Sequence, residues 1–176
     1  MSYVLGIVRK SPSKDPGVSI GEQKARIGAR ILGDYNTGVI KSREVVWAVD
    51  VCRGDDEEGR ENLRDSLLLM GGECERAYCL NVDRFSRSWL GIKWLHEYFS
   101  NGVQLHFVEG MPNLYDSNGL IDPDKYLFFF IQCGFAQWEL LRIRARTRAG
   151  RLKLKENPEV WRRKYPGRKK GAKGRR

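Results

Sequence analysis

Histidine is nearly missing from this chain, which has 2 in 176 residues, His96 and His106. A Ser-His-Asp arrangement therefore has almost no imidazole to draw on. His96 falls inside a helical repeat and His106 inside an apolar run, so both read as packed or solvated. Cysteine is also scarce. Its 4 copies, Cys52, Cys74, Cys79 and Cys133, fit no zinc spacing, because only Cys74 and Cys79 are close and neither histidine pairs with them. They read as free thiols of a reducing compartment. No apolar run approaches the ~20 residues of a membrane span, and the first residues carry no signal-peptide pattern. The expectation is a soluble cytoplasmic protein with no membrane partner.

Acid is missing where base gathers. Residues 139 to 176 hold 16 Lys and Arg against 3 Asp and Glu, so residues 1 to 138 are slightly acidic although the net charge is +10. A basic end on a near-neutral globule is a footprint of nucleic-acid binding. A membrane-surface role fits less well, since the basic stretch shows little apolar stripe. The length suits one domain with a proper core.

Proline is absent between Pro123 and Pro158. Asp122 is suited to an N-cap and Pro123 to the first helical position, so one long helix is expected over residues 122 to 156, about 50 Å at 1.5 Å per residue. Its first half, with Tyr126, Leu127, Phe128, Phe129, Phe130, Ile131, Phe135 and Trp138, is apolar nearly all round and asks for burial on more than one side. Its second half carries Arg142, Arg144, Arg146, Arg148, Arg151, Lys153 and Lys155. One half suits protein and the other polyanion.

Before that helix, apolar runs alternate with helical repeats. Strands are expected over residues 3 to 8, 44 to 51, 76 to 82 and 103 to 108. Between them, Ser19 and Glu22 form an S-x-x-E capping box ahead of Ile20, Ile27 and Ile31, closing near Gly33. Leu63, Leu67 and Met70 mark a short helix, and Trp89, Ile92, Leu95 and Phe99 mark another. The alternation predicts an α/β fold, a mainly parallel sheet of four to five strands with helices on both faces. Three segments are expected: a core over residues 1 to 121, the long helix over 122 to 156, and a flexible basic arm over 157 to 176.

In such a sheet, ligands bind outside the carboxyl ends of the strands. That edge receives Arg9 and Ser11 from the first strand, Asp50 from the second, and Asp83, Arg84 and Arg87 from the third. Arginine grips phosphate bidentately, so the set suits a phosphodiester. Two other chemistries fit less well. Gly17-Val18-Ser19-Ile20-Gly21 has the letters of a nucleophile elbow, but no strand leads into it. Asp50 and Asp83 as metal ligands would compete with the arginines that already neutralise them.

Together these residues resemble the catalytic domain of the serine recombinases, the family of resolvases, DNA invertases and serine integrases. Gly6-Ile7-Val8-Arg9-Lys10-Ser11 is similar to the family's opening G-Y-x-R-x-S, and Ser19-Ile20-Gly21-Glu22-Gln23 to the S-x-x-x-Q that follows. Asp50 falls where the family has an Asp ending the second strand, and Arg60 with Leu63 resembles its R-x-x-L. Val82-Asp83-Arg84-Phe85-Ser86-Arg87-Ser88 is similar to its D-R-L-x-R-S, and residues 135 to 150 to its long helix.

The resemblance implies site-specific DNA recombination without metal or cofactor. Ser11 would attack a DNA phosphate to give a 5′-phosphoserine and a 3′-hydroxyl, with Arg9, Gln23, Asp50, Arg60, Asp83, Arg84 and Arg87 as the other site residues. Asp83 orients Arg84 or handles a proton, and Asp50 is a structural partner or a direct participant; these stay open. The implied partners are double-stranded DNA and further copies of the chain, a dimer and a tetramer during exchange. Bases expected on DNA are Arg142, Arg144, Arg146, Arg148, Arg151 and Lys153, with Arg162, Arg163, Arg168, Lys169 and Lys170 in the arm.

Three positions depart from the family. Ile7 replaces its Tyr, Leu140 an Arg of the long helix, and Ala145 a Glu. No helix-turn-helix follows the arm, so either the sequence is truncated there or the arm supplies the affinity, mainly through phosphates. These departures motivate a second expectation, a recombinase-fold protein that binds DNA or regulates a partner without cutting.

Overall fold

The computed structural model describes residues 2–12, 18–52, 56, 58–86, 89–99, 102–156 and 159. The elements run β1 (Tyr3–Lys10), α1 (Ile20–Asn36), β2 (Val45–Val51), α2 (Glu61–Leu68), β3 (Cys74–Cys79), α3 (Val82–Phe85), α4 (Leu90–Tyr98), β4 (Gln104–Phe107) and α5 (Pro123–Glu156). The four strands pair in parallel in the order β2-β1-β3-β4. Two compact units are distinguished, Met1–Gln137 and Trp138–Arg176.

β1 is central, and its side chains alternate between two cores as a period of two requires. Val4 and Val8 join Tyr78 and Leu80 beneath Ile27 and Ile31 of α1. Leu5 and Ile7 face the opposite way, with Ala77, Cys79 and Leu105, toward Leu63, Phe85, Trp94 and Leu95 of α2 to α4 and Phe129 and Cys133 of α5. Parity therefore points Arg9 to the α2 to α5 side. Position 6 needs glycine, because a Cβ there would lie 2.4 Å from the Trp47 ring.

The α/β architecture matches the sequence expectation; several boundaries differ. β3 stops at Cys79, three residues short, because the Asn81 side chain accepts from the Arg84 N–H and starts the turn α3. The Asp83-Arg84 pair thus sits on a helical turn. α1 runs past Gly33 to Asn36. In α4 the buried face is Leu90, Gly91, Trp94 and Leu95, while Trp89 is 49% exposed against Phe130. The first half of α5 buries only Phe129 and Cys133 fully, and Leu127, Phe128, Phe130 and Ile131 stay 40–56% exposed.

On the α1 side, the Tyr78 hydroxyl donates to Asp34 Oδ2 at 2.8 Å, and Arg30 Nε donates to Asp34 Oδ1 at 2.9 Å. His106 packs beside Tyr78 in this network. Burial, helped by the Arg76 charge, pushes its pKa down from 6.5 to about 4, against the opposing pull of Asp34. Between those values the unfolded chain takes up a proton that the folded one refuses. Stability is therefore expected to fall as the pH drops from 6.5 toward 4. Urea unfolding at a series of pH values checks this, and His106→Gln should flatten that window.

Candidate active site

The β1 to β2 crossover passes over one face of the sheet by α1, and the β3 to β4 crossover over the other by α4. This creates a switch point between the carboxyl ends of β1 and β3, where open α/β sheets bind ligands. Arg9 ends β1 there, Ser11 follows two residues later, half-buried, and α3 brings Asp83 and Arg84 in from β3.

Arg9 is 1% exposed. Its Nη1 donates to the Cys52 carbonyl and its Nη2 to the Asp83 carbonyl, both at 2.9 Å. The neighbouring backbone is fixed by Gln23, also fully buried. Gln23 Oε1 accepts from the Arg9 N–H at 3.3 Å, and its Nε2 donates to the carbonyls of Arg9 and Val18, each at 3.0 Å. Gln23 thus ties the end of β1 to the start of α1, two residues before Ser11.

Arg60 is equally buried. Its Nε donates to Asp50 Oδ2 at 3.1 Å, its Nη1 donates to the Phe85 carbonyl at 2.6 Å, and its Cζ lies 5.3 Å from the Trp94 ring centroid. Asp50 is 2% exposed, and its other oxygen accepts from the Asn62 N–H at 3.2 Å. Both Asp50 oxygens are thus engaged in holding Arg60 and the start of α2. The carbonyls of Asp83 and Phe85 belong to α3, whose last turn has no helical donors to offer them. Two guanidiniums supply those donors, a favourable placement at the negative end of a helix.

Arg84 completes the group. Its Nη1 lies 3.8 Å from Asp83 Oδ2, an ion pair beyond hydrogen-bond length, with the Asp83 side chain 39% exposed. Arg60 Nη2 and Arg84 Nε are buried in the cluster without a hydrogen-bond partner among the described residues. Cys52 also borders the cluster, and burial pushes its thiol pKa up despite the neighbouring Arg60, so it stays protonated at neutral pH.

The fold therefore brings together Arg9, Ser11, Gln23, Asp50, Arg60, Asp83 and Arg84. Arg87 lies outside the described residues, as do Arg162, Arg163, Arg168, Lys169 and Lys170. Arg142, Arg144, Arg146, Arg148, Arg151 and Lys153 are all exposed on the second half of α5. By helical spacing Arg142, Arg146 and Lys153 share one face and Arg144, Arg148 and Arg151 another. Between them run Trp138, Leu141, Ala145 and Leu152, three of which are 50–52% exposed, so this stretch carries more of an apolar stripe than its sequence suggests.

Asn62, Asn81 and Trp94 belong to the cluster although no motif singles them out. Asn81 carries a local signal, an Asn immediately before a helical turn. Asn62 and Trp94 carry none, since only the fold brings them to Asp50 and Arg60.

The sequence matches no protein-family model and no curated protein. Among solved structures, the chain is similar to one described as the N-terminal catalytic domain of TP901-1 integrase. The identity is 18% and the TM-score 0.48, over 78% of this chain and 96% of that one.

Removing one partner of a buried ion pair strands the other charge. Asp50→Ala is therefore expected to destabilise the fold by about 3–5 kcal/mol. Urea unfolding measures this, and the Asp50→Ala/Arg60→Met double variant should lose less than the sum of the two single losses.

Proposed function

We propose that this chain is a DNA strand transferase of the serine recombinase type, acting on double-stranded DNA at a specific site. The observation that carries the reading is the pair of unpartnered buried nitrogens, Arg60 Nη2 and Arg84 Nε, in the cluster at the strand edge where Ser11 emerges. A buried donor without an acceptor costs about 1–3 kcal/mol, and more when charged. Phosphoryl oxygens supply acceptors of the right sign, and positioned charge is most of what phosphoryl transfer requires.

In this reading the Ser11 Oγ forms a bond to phosphorus while the bond from phosphorus to the 3′ oxygen breaks. The serine proton passes to a base, and the 3′ oxygen takes up a proton. The products are a 5′-phosphoserine and a 3′-hydroxyl, and reversal on a new strand rejoins the DNA without an external energy source. Arg9, Arg60, Arg84 and Arg87 offset charge on the phosphoryl oxygens. Asp83, partly solvent-exposed and beside Arg84, either orients that guanidinium or moves a proton. Gln23 and Asp50 hold the arginines and the β1 end in place.

The exposed Leu127, Phe128, Phe130, Ile131 and Phe135 support a second copy of the chain as partner along the first half of α5, with four copies assembling for exchange. Arg142, Arg144, Arg146, Arg148, Arg151 and Lys153 are the phosphate-contacting set, joined by Arg162, Arg163, Arg168, Lys169 and Lys170 of the arm. The competing reading, binding without cutting, rests on Leu140 and Ala145.

Ser11→Ala should abolish covalent protein–DNA adducts, read on denaturing gels, while DNA affinity stays within about twofold, since Ser11 adds no charge to phosphate binding. Intact binding with no adduct from the unmodified chain under any condition would favour the competing reading. Changing Arg142 and Arg146 together to Ala should reduce the slope of log affinity against log salt by about 0.9 for each phosphate that is no longer neutralised.

A further inference from the structure

One side chain of the cluster is aromatic and comes from α4, a helix that supplies none of its polar groups. We propose that Trp94 is a positioning residue for Arg60; its consequence for chemistry rests on the strand-transfer reading. Arg60 is held in its own plane at two points, by Asp50 Oδ2 at Nε and by the Phe85 carbonyl at Nη1. Two in-plane contacts still permit the guanidinium to swing about the axis through them. That swing lifts Nη2, the nitrogen with no partner among the described residues, out of the position it would offer a ligand oxygen. The Trp94 ring, 5.3 Å from Arg60 Cζ, closes the swing on one side and attracts the cation to it.

The same ring packs edge-on against the Phe85 ring, with centroids 5.9 Å apart and planes at 67°, and Phe85 is the residue whose carbonyl receives Nη1. Trp94 thus fixes the donor and its acceptor together. It is 6% exposed, so the contact is largely desolvated and stronger than a surface pair. α4 approaches this closely because Gly91 faces Ser86, where a Cβ would come within 2.9 Å of the Ser86 Cβ.

The test reads Arg60 directly, in the full chain without DNA, by the side-chain Nε–H resonance in nitrogen-15 NMR. In the unmodified chain this proton should exchange slowly. Trp94→Leu, which keeps apolar bulk and loses the π face, should speed exchange about tenfold, the factor a buried cation–π contact supports. Trp94→Phe restores a smaller π face and should stay within about threefold of the unmodified chain. Should Trp94→Leu fail to fold, the comparison of Trp94→Phe with the unmodified chain decides, intermediate exchange being expected. Unchanged Arg60 exchange in every folded variant, alongside lowered unfolding midpoints, would overturn the proposal and leave Trp94 as core packing.

A titration with inorganic phosphate separates this from the functional reading. The Arg60 resonance should respond in the unmodified chain, with about tenfold weaker affinity in Trp94→Leu. Faster exchange in Trp94→Leu combined with no phosphate response in the unmodified chain would uphold the positioning role and count against strand transfer.

Discussion

Burying two arginines at the end of a parallel sheet is the constraint on which the rest of this structure depends. An unpaired guanidinium in an apolar core costs several kcal/mol, so each must be met by acceptors from whatever elements lie near. Arg9 finds the Cys52 and Asp83 carbonyls; Arg60 finds Asp50 and the Phe85 carbonyl. The acceptors belong to the end of β2, the residue after it and the turn after β3, so satisfying Arg9 fixes both segments relative to β1 and satisfying Arg60 ties the two to each other. The short helix α3 benefits in turn, because its last carbonyls would otherwise be orphaned.

This arrangement explains which residues were legible in the sequence. The carboxyl-edge rule needs only strand positions and polar residue types, and it placed Arg9, Ser11, Asp50, Asp83, Arg84 and Arg87 at one edge, of which Arg87 lies outside the described residues. Gln23 and Arg60 came from the motif resemblance, because nothing in local spacing says that a glutamine in the first turn of α1 reaches back 14 residues to Arg9. Asn62 and Trp94 escaped both routes. Trp94 lies in a helical repeat where an aromatic reads as core, and its contact with Arg60 spans 34 positions of sequence. The third strand is shorter than its apolar run for a local reason, since Leu80 and Val82 are apolar and the turn is set by the Asn81 cap between them.

The two cores divide the chemistry as well as the packing. On the α1 side the buried Asp34 is satisfied by the Tyr78 hydroxyl and the more exposed Arg30, and burial keeps His106 neutral against the pull of Asp34. On the other side they do not close: Arg60 and Arg84 each retain a buried nitrogen without an acceptor among the described residues. In the proposed reading the phosphoryl oxygens of DNA supply the acceptors these two nitrogens lack. On the same reading, with the Cys52 thiol protonated, the hydroxyl of Ser11 is the nucleophile.

α5 carries the same logic into the second unit. Arg142 and Arg146, and likewise Arg144 and Arg148, stand four residues apart on shared faces with no acid between them. Each such like-charge pair costs an isolated helix about 0.2–0.5 kcal/mol. The stacking of Arg142 on Trp138, 4.5 Å from Cζ to ring centroid, offsets only part of this. A polyanion removes the repulsion on both faces at once, and anything that binds the helical form more tightly stabilises it by linkage. In the proposed reading, helix order in residues 138 to 156 and polyanion affinity are one equilibrium. On that reading, substituting the arginines with neutral helix formers would strengthen the helix while weakening the binding, which a merely structural role for those arginines would not produce.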